Sequence, residues 1–397
     1  PEHFKRHGYY TRGFGEVYHE GLDDPRSWSA PLWMPSVAWN EAYGKPETLA
    51  DIRRQRERLL AAGRPLGPAA VQRDEASGTT LKLGGGGPFV RGPSWEDPDV
   101  EDGALPDGEL ATTAIEALRA AGDRPFFLAL GFAKPHLPFV APKKYYDLSP
   151  PDAIQPADNP PAPEGAPLIA LHNFAELRQY PDVPNTGPIP PAQARALRRA
   201  YFAATSYVDA QVGRVLAELR RLGLADRTIV VLFGDHGFHL GEQGLWNKHS
   251  NFEIATRSPL VLSAPARKAG MRSASLVELV DVYPTLCELA GLPLPEGLEG
   301  TSLVPVLDDA TRAVKQAAFS QYPRPMGVMG YSMRTDRHRF TEWRSATGEV
   351  VARELYDHQT DPRETVNLSE RADARALVDR LGVQLRAGWR AAGTERK

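Results

Sequence analysis

The residues best suited to chemistry are a carboxylate and an imidazole side by side, Asp235 and His236, within the sequence Gly-Asp-His-Gly at 234–237. They follow the apolar, β-branched run 228–233, which is typical of a buried strand. Open α/β sheets bind their ligands at the carboxyl ends of the strands. The pair could hold a cation there, and Lys248, after a glycine-rich stretch, could return to meet an anion. This combination indicates a metal-assisted hydrolase that acts on a charged ester.

A second long apolar run, 125–132, leads into the sequence Ala-Lys-Pro-His-Leu-Pro at 133–138. If both apolar runs are strands of one sheet, their carboxyl ends meet at the same edge. We therefore expect His136 to lie near Asp235, as a proton donor or a ligand of the anion. Lys134 is expected to bind the substrate as a cation.

A third strand candidate, 9–14, is followed by His19, which we also expect at the functional edge of the sheet. Asp23 and Asp24 begin a turn and are not assigned to a metal site. The only cysteine, Cys287, lies in an apolar stretch and is interpreted as a buried thiol.

The elements that must position these residues alternate between strands and helices. This alternation favours a mostly parallel central sheet with helices on both faces. Beyond residue 310 the pattern changes to short strands broken by turns, which favours a small antiparallel α+β subdomain. We therefore predict an α/β domain over 1–310 and a C-terminal α+β subdomain over 311–397. The predicted helices cover residues 47–62, 110–121, 192–222, 276–289 and 372–391.

The composition of the 397 residues, 42% hydrophobic and 24% charged, is that of a soluble globular protein. A net charge of −3 argues against a nucleic-acid partner, which normally requires a strong basic excess. No apolar run approaches the length needed to span a bilayer. A single cysteine excludes an internal disulfide and a multi-cysteine zinc site. The given sequence begins at Pro1 without a signal-like segment, so the sequence does not assign a cellular compartment.

Taken together, these residues resemble the sulfatase family of the alkaline-phosphatase superfamily, in its iduronate-2-sulfatase-like branch. The resemblance runs in order along nearly the whole chain and rests on specific motifs. The matching segments are 131–139, 234–237, 240–244, 248–252, 320–325, 330–335 and 354–357.

The resemblance implies a Ca²⁺-dependent hydrolysis of sulfate esters, with Mg²⁺ as an alternative metal. Asp235 and His236 would be metal ligands. Lys248 and His136 would bind the sulfate and assist the leaving group, and His19 would orient or deprotonate a formylglycine. The expected partner is a sulfated carbohydrate, such as a glycosaminoglycan, or another sulfate ester. A family-typical location would be periplasmic or secreted.

Two departures from the family pattern are expected to matter. Formylglycine is made from the Cys or Ser of a Cys/Ser-x-Pro-x-Arg motif, and we expect this motif to be absent, since Cys287 is followed by Glu-Leu-Ala. The paired aspartates of the family's first strand are also missing, so we expect the chain to lack an N-terminal region and to be catalytically incomplete. Glu16 stands where the family carries the Lys of Gly-Lys-x-x-His. One unit-charge contact at about 4 Å is worth roughly 4 kcal/mol at an effective dielectric near 20. Replacing the family's Lys with Glu therefore changes the electrostatic energy of sulfate binding substantially.

Two alternative functions stay open at this point. One is a phosphodiesterase or phosphonate hydrolase of the same superfamily, which would need a different nucleophile. The other is a non-catalytic protein that binds sulfated glycans through a basic pocket formed by Lys134, Lys248 and His136. The sequence upstream of Pro1 would separate the three functions.

Overall fold

The structure, a computed structural model, folds as two compact units. Residues Pro1–Gln155 and Glu176–Ala225 form the first unit, and residues Pro156–Ala175 and Asp226–Lys397 form the second. The residues that the structure describes are 1–19, 22–63, 71–73, 80–82 and 90–393.

The α-helices are numbered in chain order. They are α1 (Glu2–Arg6), α2 (Pro46–Ala61), α3 (Pro106–Ala121), α4 (Lys143–Tyr146), α5 (Pro191–Arg221), α6 (Glu253–Thr256), α7 (Val282–Leu289), α8 (Val304–Asp308) and α9 (Arg375–Ala387). The long helix predicted over 192–222 is confirmed as α5. Its apolar residues recur every three or four positions and are buried, among them Leu197, Ala200, Ala204 and Tyr207.

The β-strands are numbered in the same way. They are β1 (Tyr10–Gly15), β2 (Val71–Arg73), β3 (Thr80–Lys82), β4 (Trp95–Glu96), β5 (Phe126–Gly131), β6 (Phe139–Val140), β7 (Val230–Phe233), β8 (His239–Leu240), β9 (Trp246–Asn247), β10 (Leu260–Ser263), β11 (Ala318–Arg324), β12 (Val328–Arg334), β13 (His338–Arg344) and β14 (Val350–Asp357).

In the first unit, β1 and β5 form a parallel pair whose register places Gly15 opposite Gly131. Helix α3 covers this pair, and Leu110 of the helix belongs to the same buried cluster as Phe14 of β1. Because the strands run in the same direction, both leave the pair at the same end. This end is where the sequence predicts functional residues.

In the second unit, β7 pairs with β10 in the antiparallel sense. The interpretation of 228–233 as a fully buried strand is wrong for the residues that the structure describes. Leu232 and Phe233 are 45% and 47% exposed, and Val261 of β10 is 56% exposed. A two-stranded pair has open edges, so its apolar side chains lack the neighbours on both sides that would bury them.

Strands β11 to β14 form a four-stranded antiparallel sheet in the second unit, as the sequence predicts. Helix α9 packs on this sheet through Leu381 and Leu385, against a buried cluster that includes Phe340 and Leu355. The antiparallel C-terminal sheet and its closing helix are therefore confirmed. The domain boundary placed at residue 310 stays a prediction.

Two further expectations concern the helices and the cysteine. Among the helices of the described ranges, none combines the length and the apolar character required to cross a bilayer. Cys287 is a buried free thiol in α7, and burial raises its pKa.

Candidate active site

In the first unit, the candidate functional residues lie at the end of the parallel pair β1–β5. The Glu16 amide donates to the carbonyl of Gly131 at 2.8 Å. A Cβ atom at position 131 would lie 2.2 Å from the carbonyl carbon of Glu16, so this close approach requires glycine. The chain segments that carry His19 and His136 therefore leave the same end of one strand pair. His19 itself is exposed to solvent.

The backbone of the 132–138 loop is fixed by a buried carboxylate. Asp107, in the first turn of α3, accepts hydrogen bonds from the amides of Ala133 and Lys134, both at 2.9 Å. Burial raises the pKa of Asp107, and these two amides act in the opposite direction. A carboxylate at a helix N-terminus therefore ties α3 to the loop that follows β5.

Lys134 is turned into this loop and is only 6% exposed. Its ammonium donates to the carbonyl of Pro138 at 2.6 Å and to that of His136 at 3.4 Å. Burial lowers the pKa of Lys134 to about 8, while Asp107 opposes the shift. The sulfate contact suggested for Lys134 stays a prediction, and the geometry favours a role in holding the loop.

His136 has an acceptor at each ring nitrogen. Nδ1 lies 2.7 Å from the carbonyl oxygen of Leu137, and Nε2 lies 2.9 Å from Oε1 of Glu176. The ring packs edge-to-face on Trp39, with the centroids 4.6 Å apart. A carbonyl oxygen cannot donate, so the contact at Nδ1 requires a proton on that nitrogen, and Nε2 faces the carboxylate. This arrangement orients the ring, which can exchange a proton with a bound group through Nε2.

In the second unit, the candidate functional residues begin with the turn 234–237 after β7. Gly237 lies against α6, because its amide donates to the Ala255 carbonyl at 2.8 Å. A Cβ atom at position 237 would lie 1.9 Å from the carbonyl oxygen of Ile254, which explains the glycine. The turn presents Asp235, whose side chain is 80% exposed.

The donor set of Asp235 and His236 fits a metal ion. Nδ1 of His236 lies 2.8 Å from the carbonyl of Gly237 and therefore carries its proton there. The lone pair on Nε2 then faces Oδ2 of Asp235 at 3.2 Å. Two electron-pair donors at this distance need a cation or a proton between them. The pair can supply two ligands, which is fewer than Ca²⁺ takes.

Lys248 follows β9, which forms a short antiparallel pair with β8. Its carbonyl accepts from the amide of Ser250 at 2.7 Å, and the Ser250 hydroxyl lies 2.8 Å from Nε2 of His239. Asn247 is fully buried and has a φ of 73°, so the strand turns sharply before the lysine. Buried polar contacts therefore fix the backbone from which Lys248 extends, and its predicted contact with an anion stays a prediction.

A histidine pair next to Lys248 has no counterpart among the sequence predictions. The rings of His172 and His249 lie 5.8 Å apart in an edge-to-face arrangement. Nδ1 of His172 accepts from the amide of Phe174 at 3.0 Å, and burial lowers its pKa to about 3. His172 is therefore neutral at physiological pH. Its isolated position in a proline-rich stretch gave no signal in the sequence.

Glu253, His358 and Glu364 form a second group that could hold a metal ion. Their ligand atoms lie within 4.8 Å of one another. Two guanidinium groups already occupy this cluster, since Arg339 bonds both carboxylates and Arg334 lies 3.2 Å from Glu253. A metal ion would have to displace these cations, so the cluster fits an internal ion-pair network better than a metal centre.

The expectation that a Cys/Ser-x-Pro-x-Arg motif is absent is wrong, because residues 263–267 read Ser-Ala-Pro-Ala-Arg. In the β7–β10 pair, Ser263 lies opposite Val230, at the end that begins β7. Asp235 follows Phe233 at the other end. A strand rises about 3.3 Å per residue, so the pair separates Ser263 from Asp235. Ser263 therefore does not fit a nucleophile for this site, and we derive no step through a formylglycine.

Comparisons with known proteins agree with this architecture. The family model described as Sulfatase matches residues 1–292, and that described as N-sulphoglucosamine sulphohydrolase, C-terminal, matches residues 241–390. Iduronate 2-sulfatase of Homo sapiens is 33% identical over an alignment of 452 positions that covers 93% of this chain and 76% of that protein. Choline-sulfatase of Rhizobium meliloti is 27% identical, over 98% of this chain and 70% of that protein.

Solved structures show the same fold. The phosphonate monoester hydrolase of Agrobacterium radiobacter superposes with a TM-score of 0.68 at 21% identity, over 99% of this chain and 83% of that chain. A protein solved in complex with its substrate D-glucosamine-2-N,6-O-disulfate also gives 0.68, at 20% identity, over 98% of this chain and 82% of that chain.

The fold and the motifs at its strand ends define a hydrolase with an alkaline-phosphatase-like α/β fold, in a metal-dependent class. The fold class predicted from the sequence is confirmed. The chain belongs to the sulfatase family, the sulfuric ester hydrolases. The family resemblance drawn from its motifs is confirmed as well.

Proposed function

We propose that this protein hydrolyses sulfate esters of acidic or amino sugars, with a Ca²⁺ or Mg²⁺ ion held in part by Asp235 and His236. The observation that carries the proposal is the placement of His136 after β5, with its ring nitrogens 2.7 Å from the Leu137 carbonyl oxygen and 2.9 Å from the Glu176 carboxylate. The relatives named above, which include an iduronate 2-sulfatase, support a sugar as the alcohol of the ester.

In this proposal His136 donates a proton to the departing alcohol. A sugar oxygen is a poor leaving group unless it is protonated as its bond to sulfur breaks, and a positioned acid typically contributes about 10²–10⁴-fold. The imidazolium can also attract the sulfate before the bond breaks. The edge-to-face contact with Trp39 orients the ring.

The metal would supply charge stabilisation for the sulfate oxygens when bound. In this chain, Nε2 of His236 and the exposed carboxylate of Asp235 are the groups that would hold it. Carboxylate oxygens favour Ca²⁺ or Mg²⁺, and Ca²⁺ is the better match for an exposed, flexible site. Lys248 would bind a sulfate oxygen as a point charge, and His19 would serve as a base at the end of β1.

The proposal is tested by a panel of esters with the protein expressed from its complete reading frame. We expect turnover of 4-nitrocatechol sulfate and of a sulfated uronate disaccharide, loss of turnover on chelation with EDTA, and recovery on adding Ca²⁺. Phenyl phosphonate monoesters test the alternative activity carried by proteins of the same fold. Turnover of phosphonate esters alone, or saturable binding of sulfated sugar without turnover of any ester, would contradict the proposal.

A further inference from the structure

The first unit contains a cavity of about 140 Å³ beside the first turns of α5. Whole ligand pockets usually measure about 300–1,000 Å³, so this cavity has the size of a subsite for one group of a larger ligand. We call it the Trp95–Arg195 cavity. The residues that line it are Trp95, Tyr146, Ala192, Arg195, Ala196 and Arg199, with Pro151 at one side.

The floor of the Trp95–Arg195 cavity is rigid. Tyr146 is 1% exposed, and its hydroxyl donates to the Phe139 carbonyl at 2.7 Å. Arg199 donates from Nε to the Ser149 carbonyl at 2.7 Å and from Nη2 to the Tyr146 carbonyl at 2.9 Å. These acceptors are neutral, so the positive charge of Arg199 is held in place but is not neutralised by them.

Arg195 lies one helical turn before Arg199 and is exposed. Among the described ranges of the chain, no residue forms an ion pair or hydrogen bond with its guanidinium. Elsewhere on the same unit, Arg119 and Arg221 both pair with Glu218. The two guanidinium groups that line this cavity therefore lie one helical turn apart without a carboxylate partner among the described residues.

The aromatic wall gives the cavity its second property. The Trp95 ring lies 5.9 Å from that of Tyr146, at an interplanar angle of 35°, and Trp95 is half-buried. An indole offers a flat apolar face, and a guanidinium offers paired donors that match a sulfate or a carboxylate. A sulfated or carboxylated sugar presents both features, an apolar ring face and an anionic group.

We propose that the Trp95–Arg195 cavity is an accessory subsite that binds an acidic sugar unit of an oligosaccharide substrate. Trp95 stacks on the sugar ring and Arg195 binds its sulfate or carboxylate. In the β4–β6 pair, Trp95 lies opposite Phe139, only a few residues beyond His136 in the chain. A longer substrate could therefore contact both places on this unit. The inference rests on the proposed function for the class of substrate.

Binding is measured by calorimetric titration of the 397-residue chain with a size-defined, heparin-derived tetrasaccharide. We expect Arg195→Ala to weaken binding by about fivefold or more. Arg220→Ala is the matched control, because it removes the same charge from an exposed position on the same helix, and it should leave the affinity unchanged. Trp95→Phe, which keeps an aromatic face, should weaken binding less than Trp95→Ala.

Three outcomes would overturn the subsite. They are an affinity of Arg195→Ala within twofold of the parent, an equal loss in Arg220→Ala, and equal binding of an unsulfated, uncharged tetrasaccharide. Inorganic sulfate that displaced the tetrasaccharide at equal concentration would also overturn it, because a sugar would then contribute nothing. The titration requires no turnover, so an inactive protein that shows the expected losses supports the subsite while contradicting the proposed function.

Discussion

Two stretches of the molecule carry histidines of the candidate site at strand ends, and they are built in opposite ways. The 132–138 loop of the first unit is held by buried charges, from Asp107 on its backbone to Lys134 on its carbonyls. Its functional ring, that of His136, is bonded at both nitrogens and is 24% exposed. The groups that would act as acid and anion ligand are therefore already fixed.

The 234–237 turn of the second unit is fixed in its backbone but not in its functional carboxylate. A backbone hydrogen bond holds Gly237 against α6, whereas the side chain of Asp235 is 80% exposed. The comparison shows that the first loop is preorganised by buried protein groups, whereas the carboxylate proposed to bind a metal is left for an ion to order. Substitutions should therefore act differently in the two stretches.

The largest effect is expected for Asp235→Asn, because the amide removes the negative charge that binds the metal. Charge stabilisation by a metal is worth several kcal/mol, so we expect a loss of about a thousandfold in kcat/KM for 4-nitrocatechol sulfate. Asp226→Asn, an exposed carboxylate of the same unit, is the control and should keep parental turnover. Parental turnover in Asp235→Asn would exclude this residue from the metal site.

A smaller and more selective effect is expected for His136→Gln. Loss of the proton donor should lower kcat/KM by about a hundredfold for a sugar sulfate, whose alcohol needs a proton. An activated aryl sulfate has a good leaving group, so its kcat/KM should fall by less than about tenfold. Equal losses with both substrates would show that the ring positions or binds the substrate but does not protonate the leaving oxygen.

Glu16 tests the electrostatics of the same strand end. The motif resemblance predicts that Glu16 takes the place of the family's lysine, so Glu16→Lys should raise kcat/KM for sulfate monoesters by about tenfold, or roughly 1.4 kcal/mol. Glu16→Gln removes the charge without adding another and should give an intermediate gain. If both variants match the parent within twofold, Glu16 does not face the sulfate. A decrease in Glu16→Lys alone would point to a cationic substrate group.

The last effect concerns stability rather than catalysis and is a pH dependence. Burial lowers the pKa of His239 to about 4, against about 6.5 in the unfolded chain. Between these values the unfolded chain binds a proton that the folded chain does not, so the free energy of unfolding falls as the pH drops from 6.5 to 4. His239→Gln should remove up to about 3 kcal/mol of this decrease. Urea unfolding at several pH values measures it.

Glu354 makes the free energy of unfolding depend on pH in the opposite direction. It therefore provides the control for the pH dependence assigned to His239. Burial raises its pKa to about 7, although Trp343 and Tyr356 donate to it. The folded chain holds this proton up to a higher pH than the unfolded chain, so stability falls as the pH rises from about 4.5 to 7. Glu354→Gln should flatten this part of the curve. If His239→Gln and Glu354→Gln showed the same pH dependence of unfolding, the pKa shifts assigned to His239 and Glu354 would be contradicted.

Much of the fold and the strand-end positions could be predicted because they depend on local patterns. The apolar runs that became β5 and β7 are visible in the sequence, and so are the histidines that follow them. Partners from distant segments could not be found in this way. Glu176 reaches His136 from a proline-rich stretch, and the inward turn of Lys134 depends on carbonyls that only the folded loop presents.

Two errors have physical causes. The exposure of Leu232 and Phe233 was missed because apolar composition indicates that a strand prefers burial, not that neighbours are present to bury it. The motif at Ser263 does not enter the sequence prediction because only the residues after Cys287 are compared with it. Its place at the far end of β10 shows that a motif match needs its structural context.

The most direct test of the metal-ligand turn is calorimetric titration of the 397-residue chain with Ca²⁺. Asp235 and His236 supply two ligands where Ca²⁺ normally takes about six to eight, so we expect weak binding that Asp235→Asn abolishes. Glu253→Gln, in the ion-paired cluster, should leave this weak binding unchanged. A dissociation constant at or below the micromolar range, or binding lost in Glu253→Gln but kept in Asp235→Asn, would contradict the account.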